Sequence, residues 1–160
     1  MREDLVTPAT ARRLAAEGLT WQPELGDWCT VFGAEHVGET RVGLWLVAAI
    51  YPEFSLLGLV DATGQWPTSQ VPRVDCLWLP TIGKLKIWLR SRGFQVTTGE
   101  TVTRLLGATA PTPRHVCRIK HESSGNPIDG EGISESEALA DAILRLLGAE
   151  TADSARHRWQ

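Results

Sequence analysis

Three cysteines and four histidines are the side chains of this 160-residue chain best suited to nucleophilic or metal chemistry. His115, Cys117 and His121 fall in a segment typical of a strand, where odd-numbered side chains share one face. Along a strand, His115 and Cys117 would lie roughly 7 Å apart and His121 about 20 Å from His115, too far to share one ion. The spacing favours a buried thiol flanked by surface histidines. A cysteine- or metal-dependent enzyme that uses Cys117 with His115 or His121 is the alternative hypothesis.

The cysteines are far apart in the sequence and form no CxxC pair. Cys29, Cys76 and Cys117 are therefore interpreted as free thiols, which indicates a reducing compartment and a cytoplasmic location. Each of them could pair with His36, His115 or His121 in the fold to make a nucleophile, but no local signature supports a particular pair. We expect no metal and no cofactor.

Acidic and glycine residues crowd the segment from 125 to 141 without forming a binding motif. Asp129-Gly130-Glu131-Gly132 lacks the spaced ligands and terminal glutamate of a calcium loop. The glycines do not form a phosphate-binding loop either, since neither GxxxxGK[ST] nor a GxGxxG following a strand is present. Carboxylates at the start of a helix are favoured by its dipole, which is sufficient to explain them.

Charge is distributed unevenly along the chain, although the net charge is only −3. Residues 70–120 hold nine Lys and Arg against two acidic residues, a net of +7, whereas the segments before and after each carry −5. A basic helix face and nearby indoles are therefore the predicted contact surface for a protein or nucleic acid. The predicted surface consists of Lys84, Lys86, Arg90, Arg92, Trp66 and Trp78. The alternative is a solvated face that the acidic flanks neutralise.

One amphipathic helix carries that basic face. Thr81 can cap its start, and Gly93 can adopt the left-handed conformation that ends it. The apolar stripe is set by Ile82, Leu85, Trp88 and Leu89 at helical spacing. The sequence thus predicts a helix with a buried apolar face and an exposed basic face.

The remaining segments predict two more helices and several strands. Thr7 to Gly18 has the cap, Pro8 and terminator of a short helix, and Ser134 with Glu137 forms a capping box for a last helix ending at Gly148. The predicted strands are 28–32, 42–50, 54–60, 74–79, 94–97, 101–106 and 115–121, with a turn at 98–100 and a flexible loop at 123–132. This order predicts the α+β class, an antiparallel or mixed β-sheet packed against about three helices. We expect a single domain over 1–148 and a flexible tail over 149–160.

No membrane association is expected, because the longest apolar run, residues 44–51, is far too short to cross a bilayer. The first residues lack the apolar core of a signal peptide. Seven tryptophans is a high number for this length, and some of them are expected to lie in an interface. Self-association is therefore a further expectation.

Several short motifs occur in the same order as in a known group. They are Glu17-Gly18-Leu19 after the first helix, Trp28-Cys29, Leu79-Pro80-Thr81 before a helix with Trp88-Leu89-Arg90, and the closing segment from Ser134 to Leu139. In this order they resemble a group of small uncharacterised proteins of bacterial prophages and mobile elements. The chain departs from the group at Leu19, where the group has an aromatic residue after the glycine, and residues 41–60 have no counterpart. The resemblance implies a phage or mobile-element context and no catalytic residues.

Overall fold

The structure is a computed structural model that describes residues 4–31, 43–61, 63–65, 70–103, 112–123 and 125–157. The chain divides into two compact units. Unit 1 combines Met1–Leu19 with Thr81–Gln160, and unit 2 is the segment Thr20–Pro80 between them. The two units are defined by contacts within the chain, whereas a domain is defined by cooperative folding. The expected single domain over 1–148 therefore stays a prediction.

Along the described residues, two blocks of consecutive strands lie between three α-helices. The elements in order are α1 (Pro8–Ala16), β1 (Trp28–Val31), β2 (Trp45–Tyr51), β3 (Leu56–Val60), β4 (Val71–Pro72), β5 (Cys76–Trp78), α2 (Ile82–Ser91), β6 (Phe94–Thr103), β7 (Thr112–His121), β8 (Ile128–Gly132) and α3 (Glu135–His157). The two sheets they form are both antiparallel. The α+β class predicted from the sequence is confirmed.

Unit 1 contains a three-stranded sheet in the order β6-β7-β8. The ladder between β6 and β7 is regular from Phe94 opposite His121 to Thr103 opposite Thr112. The prediction of two strands with a turn at Thr98-Gly99-Glu100 is therefore wrong. Gly99 lies opposite Val116 within this ladder, because ten consecutive cross-strand pairs outweigh a local turn preference.

The predicted flexible loop over 123–132 is wrong at its second half, where β8 pairs with β7. The two glycines of β8 let α3 approach its backbone closely. A Cβ atom on Gly130 would lie 2.3 Å from both the Ala138 carbonyl oxygen and the Ala142 nitrogen, and one on Gly132 would lie 2.4 Å from the Ala138 nitrogen. Glycine is therefore required here by the contact between helix and strand.

The start of α3 is the one predicted from the capping box, with a difference in detail. The Ser134 hydroxyl accepts from the Glu137 N–H at 3.2 Å. The Glu137 carboxylate instead accepts from the Thr7 N–H and the Thr10 hydroxyl, both at 2.6 Å, and so holds the start of α1. A residue expected to cap its own helix thus links two helices of unit 1.

The end of α3 differs from its prediction, since the helix continues past Gly148 to His157. A glycine inside a helix costs about 1 kcal/mol relative to alanine, which weakens a helix without ending it. The predicted tail from residue 149 is therefore helical as far as His157. The other helix ends are confirmed: Gly18 and Gly93 have positive φ angles of 99° and 78°.

Unit 2 contains a five-stranded sheet in the order β4-β3-β2-β1-β5. Its core consists of Cys29, Trp45, Val47, Leu57, Leu59 and Cys76. The indoles of Trp21 and Trp78 stack in parallel, with ring centroids 6.3 Å apart. The predicted strands in this segment are confirmed with bounds shifted by a few residues, as is usual for strand ends.

The length and apolar character of the helices bear on whether one of them could cross a membrane. Among the helices in the described ranges, none combines the length and the apolar character needed to cross a bilayer.

Candidate functional site

The inner face of α2 is formed by Leu85 and Leu89, both fully buried. Trp88 and Ile82 are half-buried beside them, as the predicted apolar stripe requires. The Thr81 hydroxyl accepts from the Lys84 N–H at 3.2 Å and caps the helix as expected. The amphipathic helix that should carry the predicted surface is therefore present in unit 1.

Two of the predicted cations of α2 are paired with carboxylates of α3. Lys86 Nζ lies 2.9 Å from Glu135 Oε1, and this hydrogen bond holds the pKa of Glu135 below its usual range. Arg92 donates to both carboxylate oxygens of Glu150, at 2.8 and 3.0 Å, and its guanidinium lies 4.7 Å from the centre of the Trp88 ring. The neutralised-face alternative thus describes Lys86 and Arg92.

The outward side of α2 keeps a smaller group of side chains, here called the outer patch: Lys84, Ile87, Arg90 and Ser91. Ile87 lies at the centre of the outer patch and is 62% exposed, and Arg90 and Ser91 are exposed beside it. Within the part of the chain that the structure describes, Arg90 makes no ion pair. Ile87 is absent from the surface predicted from the sequence, although its position opposite Leu85 and Leu89 on a helical wheel indicates an exposed side chain.

Both predicted tryptophans fall in the segment Thr20–Pro80, outside the unit that contains α2. Trp78 belongs to unit 2, where Trp21 covers one side of its ring. Its indole nitrogen is buried and has no hydrogen-bond partner among the described residues. Trp66 lies outside the described residues.

The predicted chemical residues of β7 lie on one side of the sheet in unit 1, as alternation requires. Cys117 is fully buried, and desolvation raises the pKa of its thiol to about 11. His115 Nδ1 is 3.9 Å from Glu100 Oε1, whereas the His121 ring contacts Phe94 edge-on and its Nδ1 lies 2.9 Å from the Ser123 hydroxyl. Each histidine therefore contacts its own local partners, and within the described residues neither hydrogen-bonds the Cys117 thiol so as to activate it.

An open cavity of about 440 Å³ lies in unit 1, where the starts of α2 and α3 meet. Its walls include Asp4, Ile82, His115, Glu135 and Ser136. Its ionisable groups are the carboxyl groups of Asp4 and Glu135 and the imidazole of His115, and the Ser136 hydroxyl donates to the Leu5 carbonyl oxygen at 3.1 Å. Two acidic groups, one of them already paired with Lys86, and one imidazole do not define one class of ligand.

The other two cysteines are neighbours in the core of unit 2. Cys29 and Cys76 are free and buried on adjacent strands, and β1 pairs with β5. A hydrogen bond between the two side chains raises the pKa of Cys29 and lowers that of Cys76. His36, the histidine of this segment considered as a partner, lies outside the described residues.

A metal site would need several ligands in one place. In the ranges that the structure describes, no three His, Cys, Asp or Glu side chains are grouped so as to hold an ion.

Comparison with known proteins adds no family to this description. No protein-family model matches the chain, and no curated protein or solved structure is similar to it.

Proposed function

We propose that this chain is a non-enzymatic accessory protein of phage or mobile-element type that binds another macromolecule through the outer patch of α2. The partner that the geometry favours is a protein with an acidic surface. The observation that carries this proposal is Ile87, a large aliphatic side chain 62% exposed between the cationic residues Lys84 and Arg90. An apolar centre within a polar rim is the usual composition of a protein interface.

Charge supports an acidic partner. The segment from Ile82 to Arg92 contains four cations and no carboxylate, and residues 70–120 carry a net charge of +7. Complementary charge at the rim of an interface accelerates association and excludes partners of the same sign. The apolar centre would then supply most of the affinity.

A protein partner is favoured over a nucleic acid by the pairing of Lys86 and Arg92. A phosphate backbone is bound by several cations that release counterions, and these two already contact Glu135 and Glu150. Trp78, expected to stack on bases, is stacked on Trp21 instead. A protein surface requires fewer unpaired cations and uses the exposed isoleucine.

The direct test is site-specific photocrosslinking. A benzophenone amino acid at position 87 should crosslink to a protein in cells that carry the natural gene. The matched control is the same residue at Val74, which is 84% exposed in unit 2. Arg90→Glu should reduce crosslinking at position 87 about tenfold, because a charge that favoured the contact becomes repulsive.

The outcomes separate the partner classes. A crosslinked product that nuclease shortens would replace the protein partner with a nucleic acid, and salt-dependent retention on immobilised duplex DNA would agree. Equal crosslinking at positions 87 and 74, or none at either, would contradict the proposal.

The alternative, an enzyme that uses Cys117, has less support. A thiol with a pKa of about 11 is almost entirely protonated at neutral pH, whereas the thiolate is the reactive form. We expect iodoacetamide to modify Cys117 of the native protein more slowly than it modifies free cysteine. Faster modification would revive the enzyme hypothesis.

A further inference from the structure

The free edge of β6 is the longest regular strand edge in the described residues. β6 is ten residues long and pairs with β7 on one side only. Its ladder has no register shift, in contrast to that between β2 and β3. Gln95 and all residues from Thr97 to Thr101 are exposed.

The hydrogen-bond pattern shows which groups this edge offers. The Gly93 carbonyl accepts from the Glu122 N–H at 2.9 Å, so this pair is hydrogen-bonded. Alternation along an antiparallel ladder then directs the backbone groups of odd-numbered β6 residues to β7 and those of even-numbered residues outward. In the middle of β6, the outward donors and acceptors are those of Val96, Thr98 and Glu100.

The other sheet edges are shortened or blocked. β4 is two residues long and contains Pro72, and β5 is three residues long. At β8, the Glu131 N–H donates to Asp141 Oδ2 of α3 at 3.1 Å. Short edges, proline and covered amides prevent strand pairing between chains, and none of these is found at β6 within the described residues.

We infer that β6 is a self-association surface, on which β6 of a second copy of this chain pairs antiparallel and extends the sheet of unit 1 to six strands. A two-fold axis at Thr98 puts Thr98 opposite its own copy and Val96 opposite Glu100 of the second copy. Both pairs present outward backbone groups to each other. Neither puts like charges face to face, and Thr beside Thr is a favourable cross-strand pair.

A second copy fits this edge better than an unrelated peptide does. Peptides that add to a sheet gain specificity from pockets for alternate side chains. The odd-numbered side chains of β6 are exposed and small or polar: Gln95, Thr97 and Thr101, with Gly99 between them. Such side chains are poorly suited to lining pockets. Pairing between two copies of β6 needs no such pockets. On the same open face, Arg118 is paired with Asp129 at 2.6 Å, which limits repulsion across the joined sheets.

Amide hydrogen exchange tests this pairing residue by residue in the full chain. At high protein concentration, the amides of Val96, Thr98 and Glu100 should exchange at least about tenfold more slowly than after dilution, because pairing buries them. The odd-numbered amides of the same strand are internal controls, since β7 protects them at every concentration. Light scattering should give the mass of two chains.

A pair of substitutions at Glu100 isolates the backbone from the side chain, which is 71% exposed. Glu100→Pro removes an outward N–H and should give the mass of one chain, whereas Glu100→Ala keeps the N–H and should remain a dimer. A wild-type chain that is monomeric at high concentration overturns the inference, as does a dimer whose even-numbered amides stay unprotected. If the even-numbered amides of β6 are protected only when a peptide is added, the partner of this edge is a peptide and not a second copy. The outer patch of α2 is not altered, so the two proposals fail separately.

Discussion

The sheets of the two units are stabilised in different ways. In unit 1, α3 approaches β8 so closely that backbone meets backbone at Gly130 and Gly132. In unit 2, the described residues include no α-helix, and the sheet packs through its own side chains, among them Trp45, Leu59 and two thiols. The sheet of unit 1 is therefore most sensitive where a side chain is added, and that of unit 2 where one is removed.

The largest expected effect is at the close contact of unit 1. Gly130→Ala would put a Cβ 2.3 Å from two backbone atoms of α3, and backbone cannot move aside as a flexible side chain can. We expect the free energy of unfolding to fall by about 3 kcal/mol or more. Urea denaturation measures it. Gly99→Ala is the control, because a Cβ there meets nothing within 4 Å, and an equal loss in both variants would refute the backbone contact.

Truncation of one core leucine in each unit comes next. Leu59→Ala in unit 2 and Leu89→Ala in unit 1 remove fully buried side chains and should each cost about 2–5 kcal/mol. If residues 1–148 form one domain as predicted, each variant should shift a single common transition followed by circular dichroism and by fluorescence. Two separate transitions, each moved by one variant, would divide the chain into two domains. Ile87→Ala should change stability by less than about 0.5 kcal/mol.

A buried carboxylate in unit 2 gives a smaller effect. Asp27 accepts from the Trp21 indole N–H and the Glu24 backbone N–H, both at 2.9 Å. Asp27→Ala leaves these donors without that acceptor and should cost about 2 kcal/mol. Thermal denaturation, with tryptophan fluorescence as the readout, measures the loss. Asp27→Asn keeps an acceptor oxygen and should lose less; a larger loss for Asn than for Ala would contradict this role.

An electrostatic effect in unit 1 is expected to be smaller than that of Asp27→Ala. The hydrogen bond with Lys86 lowers the pKa of Glu135 in the folded chain. The charged carboxylate therefore stabilises the fold at pH values above 4.5, the ordinary pKa of the group. That contribution is lost as the pH falls through the lowered value. Because both side chains are partly exposed, Glu135→Gln should cost less than about 1 kcal/mol at pH 7. The difference should vanish in acid; a difference that grows as the pH falls would reverse the assigned direction.

The elements most readable from the sequence were those with local signals. Thr7, Pro8 and Gly18 define α1 through caps and backbone preference, which act within one turn. The stripe of Leu85 and Leu89 identified the inner face of α2 because helical periodicity is local as well. Short-range chemistry was enough for these segments and for the α+β class.

The errors fall where a distant partner decides the outcome. Gly99 has the composition of a turn, and only β7 keeps it in a strand. Gly130 and Gly132 suggest a flexible loop until α3 is seen against them. The pairing of Lys86 with Glu135 and of Arg92 with Glu150 spans 49 and 58 residues, and no local pattern reports it. Two residues of the predicted surface, Lys86 and Arg92, are thus paired within unit 1, whereas Arg90 is exposed.

The stacked indoles of Trp21 and Trp78 have a consequence for the segment between residues 20 and 80. They hold the beginning and the end of that segment side by side, and the Leu79 N–H donates to the Trp28 carbonyl at 2.8 Å nearby. A segment whose ends meet can be exchanged between host sequences as one cassette, and its own termini can be joined and reopened elsewhere with a short linker. The contact between the two indoles would keep the ends of such a cassette together.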